Sequence, residues 1–140
     1  MADLFQVRVA VRGYELDLQG HVNQAVYLQY GEHARWQCFL AAGVGPDVLV
    51  RAGVGPVVLE TTIRYLKELR AGDEVDVTCR FVWGDGKTFR VEQDYTRADG
   101  VPVARVTGVA GLMDRTTRRL VDDPAGRLRE LAADPSWLGV

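Results

Sequence analysis

Tyr14-Glu15-Leu16-Asp17-Leu18-Gln19-Gly20-His21-Val22-Asn23-Gln24-Ala25-Val26-Tyr27 joins a strand-like segment to a long apolar helix. The loop at its centre carries an acid, a glycine, a histidine and an asparagine. It brings the Asp17 carboxylate to the start of a helix, where unpaired backbone N–H groups and a partial positive charge collect. Two readings follow. Asp17 caps the helix, or it is half of a site that attacks a carbonyl carbon and holds the resulting oxyanion.

Upstream, Val7, Val9 and Val11 alternate with Gln6, Arg8 and Arg12, the period of a half-buried strand. Downstream, residues from Val22 to Ala42 read as helix, apolar on nearly every side, which predicts burial nearly all round. Gly31 sits mid-helix at a cost of about 1 kcal/mol relative to alanine, so a close contact with a sheet is expected there. Gly43 and Gly45-Pro46 end the helix. Four strand patterns follow: Leu59 to Tyr65, Val75 to Trp83, Phe89 to Thr96, and about Val101 to Asp114. Ala71-Gly72-Asp73, Gly84-Asp85-Gly86-Lys87 and Ala98-Asp99-Gly100 supply the turns between them. Gly108 and Gly111 suggest a bend or a close neighbour in the last strand. A short helix is expected over Pro124 to Ala132, within a peripheral tail from residue 122 to 140. Hairpin-linked strands and one helix imply an α+β layer in a single domain, residues 1–140. An open sheet has free edges, so a partner subunit is plausible.

The chain has 140 residues, 47% hydrophobic and 26% charged, the balance of a soluble globular domain. A net charge of -2 speaks against a nucleic-acid binder. Arg115, Arg118 and Arg119 read as a solvated strand end. Cys38 and Cys79 have no metal-ligand spacing and read as small core residues of a reduced protein. There is no secretory-signal pattern at the N-terminus and no run of membrane-spanning length, so a cytoplasmic location is expected.

The run Asp17-Leu18-Gln19-Gly20-His21-Val22-Asn23-Gln24-Ala25-Val26-Tyr27-Leu28, followed by Glu32 to Arg35, resembles the signature of hotdog-fold acyl-CoA thioesterases. More narrowly, it is similar to the 4-hydroxybenzoyl-CoA and tol-pal-associated acyl-CoA thioesterase branch. Ile63-Arg64-Tyr65 and the Gly72-Asp73 turn extend the resemblance. It implies a five-stranded antiparallel sheet wrapped around one long helix. It also implies that Asp17 attacks the thioester carbonyl or activates water, with the amides of Asn23 and Gln24 as oxyanion donors. CoA would bind at a subunit interface of a homodimer or homotetramer. Gln24 departs from the pattern, which has a second asparagine there.

The other candidates keep two readings each. His21 orients substrate or acts as a base, or it holds the turn. Asn23 is read as a cap or loop organiser. Gly20 permits positive φ or close backbone approach. Tyr27 shapes an acyl tunnel or fills the core, as do Tyr30, Trp36 and Phe39. Glu60 lines an acyl pocket or faces solvent, and Glu32 is a minor candidate for a second carboxylate. Arg64 and Lys67 contact CoA phosphates or are solvated strand charges. A thioester's leaving thiolate needs no strong acid, since a simple thiol has a pKa of about 8.5. No metal or organic cofactor is therefore called for. The substrate is an acyl-CoA or, alternatively, an acyl-carrier-protein thioester; a third possibility is a module that binds acyl-CoA without turnover.

Overall fold

The computed structural model describes residues 4–140. Five strands, β1 (Phe5–Ala10), β2 (Val54–Tyr65), β3 (Glu74–Trp83), β4 (Thr88–Arg97) and β5 (Pro102–Asp114), form one sheet in the order β1-β3-β4-β5-β2. Every neighbouring pair is antiparallel. Helix α1 (Gln24–Ala41) lies across this sheet, and α2 (Pro46–Ala52) and α3 (Pro124–Leu131) are shorter. This is the hotdog arrangement that the resemblance implies.

The turns form for local reasons. At Arg70–Asp73 the Asp73 carboxylate accepts from the Arg70 N–H at 2.9 Å, while the Asp73 N–H donates to the Arg70 carbonyl at 3.1 Å. Alternating valines on β1 and β3 then meet face on, with Val7 opposite Val77 and Val9 opposite Val75.

Gly31 is where the helix meets the sheet. Tyr95 on β4 donates its hydroxyl to the Tyr27 carbonyl at 2.6 Å, and Gln93 Nε2 donates to the Gly31 carbonyl at 3.0 Å. Both β4 side chains are fully buried. A Cβ at position 31 would overlap the Tyr95 hydroxyl and stand 3.1 Å from Gln93 Oε1. The expected close contact is therefore real, and polar side chains of the sheet make it. Gly111 lies under Leu120, where a Cβ would meet a methyl at 2.7 Å.

Four expectations need correction. First, α1 is buried along one stripe, Tyr27, Tyr30, Gly31, Ala34, Cys38 and Phe39, while Leu28 and Leu40 are exposed. The helix packs over β1 and β3, takes hydrogen bonds from Tyr95 and Gln93 of β4, and leaves much of β2 exposed. Second, the strand expected from Leu59 begins at Val54 and is mostly exposed: beyond Val54 no residue of it is fully buried, and Val58, Leu59 and Tyr65 are exposed. It is an edge strand, bulged between Val58 and Glu60, with β5 as its one neighbour. Third, Gly45-Pro46 starts a helix as well as ending one. Pro46 is its first residue, and Gly53 closes it at φ 74°, the usual placement of these two residues at helix ends.

Fourth, the 122–140 segment is not peripheral. Leu128 and Leu138 are buried in the cluster that holds Cys38, Phe39, Phe81 and Leu112. Trp83 Nε1 donates to the Leu138 carbonyl at 2.7 Å, and the Trp137 ring meets Phe5 edge-on at 5.6 Å. Cys38 and Cys79 are buried in the core. A hydrogen bond to Cys38, reinforced by burial, pushes the Cys79 thiol well above its ordinary range, so both act as small apolar fillers.

Two stability measurements check this packing. Gly31→Ala gains about 1 kcal/mol of helix propensity but overpacks against Tyr95 at about 1–3 kcal/mol. Net loss on thermal denaturation is expected, and a gain of stability would contradict the close seat. Leu138→Ala should cost about 2–5 kcal/mol, the range for a buried leucine; a negligible change would restore the peripheral reading of the tail.

Candidate active site

The loop before α1 is built by two carboxylates with different tasks. Glu15, at the end of a short 3-10 turn (Gly13–Glu15), is buried. Its carboxylate accepts the Tyr30 hydroxyl at 2.6 Å and the Arg12 N–H at 2.8 Å. Its carbonyl accepts the Asn23 N–H at 2.9 Å. Burial, and then the bond to Glu15, push the Tyr30 phenol well above its ordinary range. Tyr30 therefore stays a neutral donor, and Glu15 ties the loop to the helix.

Asp17 follows at the exposed tip. Its Oδ1 accepts the Gln19 N–H at 2.9 Å and, more weakly, the His21 N–H at 3.4 Å. Its own N–H donates to the His21 carbonyl at 2.8 Å, and Leu16 and Val22 bridge across the turn. Gly20 closes it at φ 78° with open space around it, so positive φ is the reason for the glycine. Asp17 does not cap α1; Asn23 does, accepting the Ala25 N–H at 2.9 Å. Among the described residues Asp17 Oδ2 has no hydrogen-bond partner.

The Asp17 side chain lines a cleft of about 290 Å³ with His21, Val22 and Gln24 on one side and Tyr65, Leu66, Lys67 and Glu68 on the other. Tyr27 forms its floor, edge-on to Tyr65 at 5.2 Å, and the Tyr65 hydroxyl donates to the Gln24 carbonyl at 2.9 Å. Burial pushes the Tyr27 phenol above its ordinary value. The Asn23 amide is spent on Glu15, which removes it as an oxyanion donor. The Gln24 amide has no partner among the described residues. It is the first N–H of α1, where the helix dipole is positive.

His21 Nε2 lies 3.0 Å from Glu68 Oε2, and Arg70 holds the other Glu68 oxygen at 2.6 Å. The hydrogen bond from Arg70 leaves the Glu68 carboxyl below its usual range. These contacts place the His21 ring at the cleft wall against Glu68. Of the remaining candidates, Lys67 reaches the cleft, while Glu60 and Arg64 are exposed on β2 outside it. Arg64 stands opposite Arg105 on β5. Glu15, Tyr65 and Glu68 were not among the sequence candidates. Leu69, fully buried between Glu68 and Arg70, pins their loop, and its carbonyl accepts the Val22 N–H at 2.8 Å. A lone apolar residue amid charges was the available signal.

Among the described residues no group of acidic, histidine and cysteine side chains is arranged to hold a metal, and no helix is long and apolar enough to cross a membrane. Residues 11–132 match the thioesterase-like superfamily, and the chain belongs to that family. It is 38% identical over 80 residues to the chloroplastic acyl-acyl carrier protein thioesterase ATL3 of Arabidopsis thaliana, covering 57% of this chain and 42% of that one. It is 31% identical over 91 residues to the long-chain acyl-CoA thioesterase FadM of Escherichia coli, covering 65% and 68%. The chain thus spans about two fifths of its plant relative. The fold is shared with SAV2348 of Staphylococcus aureus, solved in complex with CoA, at a TM-score of 0.82 and 21% identity over 91% of this chain and 82% of that one.

Removing the Glu15 carboxylate should be more damaging to stability than removing the Asp17 carboxylate. Glu15→Ala strands a buried phenol and an amide, at about 1–3 kcal/mol each. Asp17→Ala touches an exposed turn and should change stability by about 1 kcal/mol or less. Chemical denaturation of the two variants checks the ranking; equal losses would contradict the division of tasks.

Proposed function

We propose that this chain hydrolyses acyl thioesters of CoA, with Asp17 as nucleophile or general base and water as the second substrate. One observation carries the reading. A carboxylate with an unpartnered oxygen shares a cleft with an unpartnered helix N-terminal amide, that of Gln24. A carbonyl oxygen polarised by that amide would offer its carbon to Asp17, and negative charge developing on the oxygen would meet the positive end of α1. The thiolate leaves unassisted. Tyr27 and Tyr65 support the cleft floor, and Lys67 at the rim suits a phosphate of CoA.

The relatives support the reaction class, and they divide on the carrier. FadM is named for acyl-CoA and ATL3 for acyl-acyl carrier protein. A carrier-protein substrate would use the same cleft with a different docking surface. The bare β2 edge, with Val58, Leu59, Tyr65 and Leu66 exposed, supports a second copy of the chain completing the site as a homodimer or larger homo-oligomer.

A thiol-release assay with parallel acyl-CoA and acyl-carrier-protein panels tests this reading. Asp17→Ala and Asp17→Asn should each lower kcat by about a hundredfold or more while leaving the fold intact. Full activity in both variants would remove Asp17 from the chemistry. Tight acyl-CoA binding by the wild type without turnover would instead make the chain a binding module.

A further inference from the structure

One end of the molecule gathers arginines that no carboxylate neutralises. β5 ends at Asp114, the chain doubles back through residues 115–119, and Leu120 returns to bridge with Met113. Arg115, Arg118 and Arg119 are exposed on this hairpin. None lies within salt-bridge distance of an acid among the described residues. Arg51 on α2 is exposed and equally unpaired, and the Gly53 carbonyl, two residues on, accepts the Arg115 N–H at 2.8 Å. The arginines of the sheet differ: Arg8, Arg80, Arg90 and Arg105 are each matched to an aspartate or glutamate. The acids next along the chain are engaged elsewhere. Asp47 opens α2, Asp122 faces Lys87 and Asp123 caps α3.

The hairpin holds its charge still. The Asp114 carboxylate accepts the N–H groups of Thr117 and Thr116 at 2.9 and 2.8 Å, and its own N–H donates to the Arg119 carbonyl at 2.8 Å. The bonds from Thr117 and Thr116 keep the Asp114 carboxyl below its usual range, so this acid serves the turn and not an arginine. Leu120 packs over Gly111 and pins the returning limb. Arg118 has φ 62°, and it is the one residue other than glycine with positive φ among the described residues. Glycine adopts that backbone without the steric cost a side chain meets there. A cation stands where a glycine would make the steadier turn.

The surroundings select the ligand. None of these arginines lines the Asp17 cleft or the other three main cavities, whereas small ligands occupy concave sites. Protein interfaces centre on buried aromatic anchors, and single-stranded nucleic acids stack on exposed rings. The exposed rings, Tyr14 and Tyr65, are elsewhere, in the loop before α1 and at the far end of β2. A bilayer asks only for cations presented together, and an exposed apolar side chain, Val50, stands beside Arg51.

We propose that the 115–119 hairpin, with Val50 and Arg51, docks the protein on an anionic lipid surface. The patch and the Asp17 cleft lie at opposite ends of β2, so an adsorbed chain keeps its cleft open to water. The proposal does not depend on the hydrolase reading.

The test is co-sedimentation of the full chain with phosphatidylcholine vesicles, plain or containing about one third phosphatidylserine. The wild type should bind the anionic vesicles alone and be released by high salt. Arg118→Gln should weaken binding about fivefold, and Gln at 115, 118 and 119 together about a hundredfold. Arg64→Gln, the same charge change at an unpaired arginine outside the patch, should stay within about twofold of the wild type. Arg118→Gly should bind about fivefold more weakly yet melt higher, because it relieves the backbone. Thermal denaturation confirms that each variant is folded. No binding to anionic vesicles, equal binding to neutral ones, or equal losses in Arg118→Gln and Arg64→Gln would overturn the proposal. Release from the vesicles by single-stranded DNA or polyglutamate at matched charge would also overturn it, and would assign the patch to a nucleic acid or an acidic protein.

Discussion

Two hydrogen bonds from one strand into the backbone of one helix set the geometry of this protein. Tyr95 and Gln93 reach up from β4 to the carbonyls of Tyr27 and Gly31, and only a glycine at position 31 lets the helix come so close. These are buried bonds to groups already engaged in the helix, and each contributes only about 1 kcal/mol net. Their weight lies in position. They fix where the first N–H of α1 stands relative to the loop before it. Gln93 Oε1 also accepts from the Arg35 guanidinium at 3.1 Å, which fixes where Arg35 stands relative to the sheet.

The loop shows how neighbouring carboxylates are assigned by their surroundings. Glu15 is enclosed, accepts from Tyr30 and Arg12, and serves the fold. Asp17, two residues later, is exposed, keeps one oxygen for its own turn and leaves the other toward the cleft. Asp17 is an exposed carboxylate beside the N-terminus of α1, where the helix dipole is positive. That suits attack on a carbonyl carbon better than proton donation.

Much of this was legible in the chain. The two-residue period of β1, β3 and β4 and the turns at Gly72 and Gly100 mark elements whose preferences are local, and they formed where the pattern placed them. Gly31 announced a close contact without naming its partner, because the partner is some sixty residues away. The errors came from tertiary context. The apolar run of α1 did not disclose that the sheet is wider than the helix, so Leu28 and Leu40 face outward. Alternation in Leu59 to Tyr65 identified a strand but not that nearly all of it is exposed, with Ile63 alone half-buried. The tail looked polar because its buried residues, Leu128 and Leu138, are widely spaced. At the site, Asp17, Gly20 and Asn23 had readable chemistry, whereas Glu15 and Glu68 gain theirs from neighbours that only folding supplies.

The central claim is geometric: a thioester carbonyl fits between the free oxygen of Asp17 and the amide of Gln24. A crystal structure with a non-hydrolysable acyl-CoA analogue measures this directly. The carbonyl oxygen should lie about 2.7–3.1 Å from the Gln24 nitrogen, with the carbonyl carbon or a bridging water about 3–3.5 Å from Asp17 Oδ2. An analogue bound with its carbonyl remote from both atoms would contradict the account.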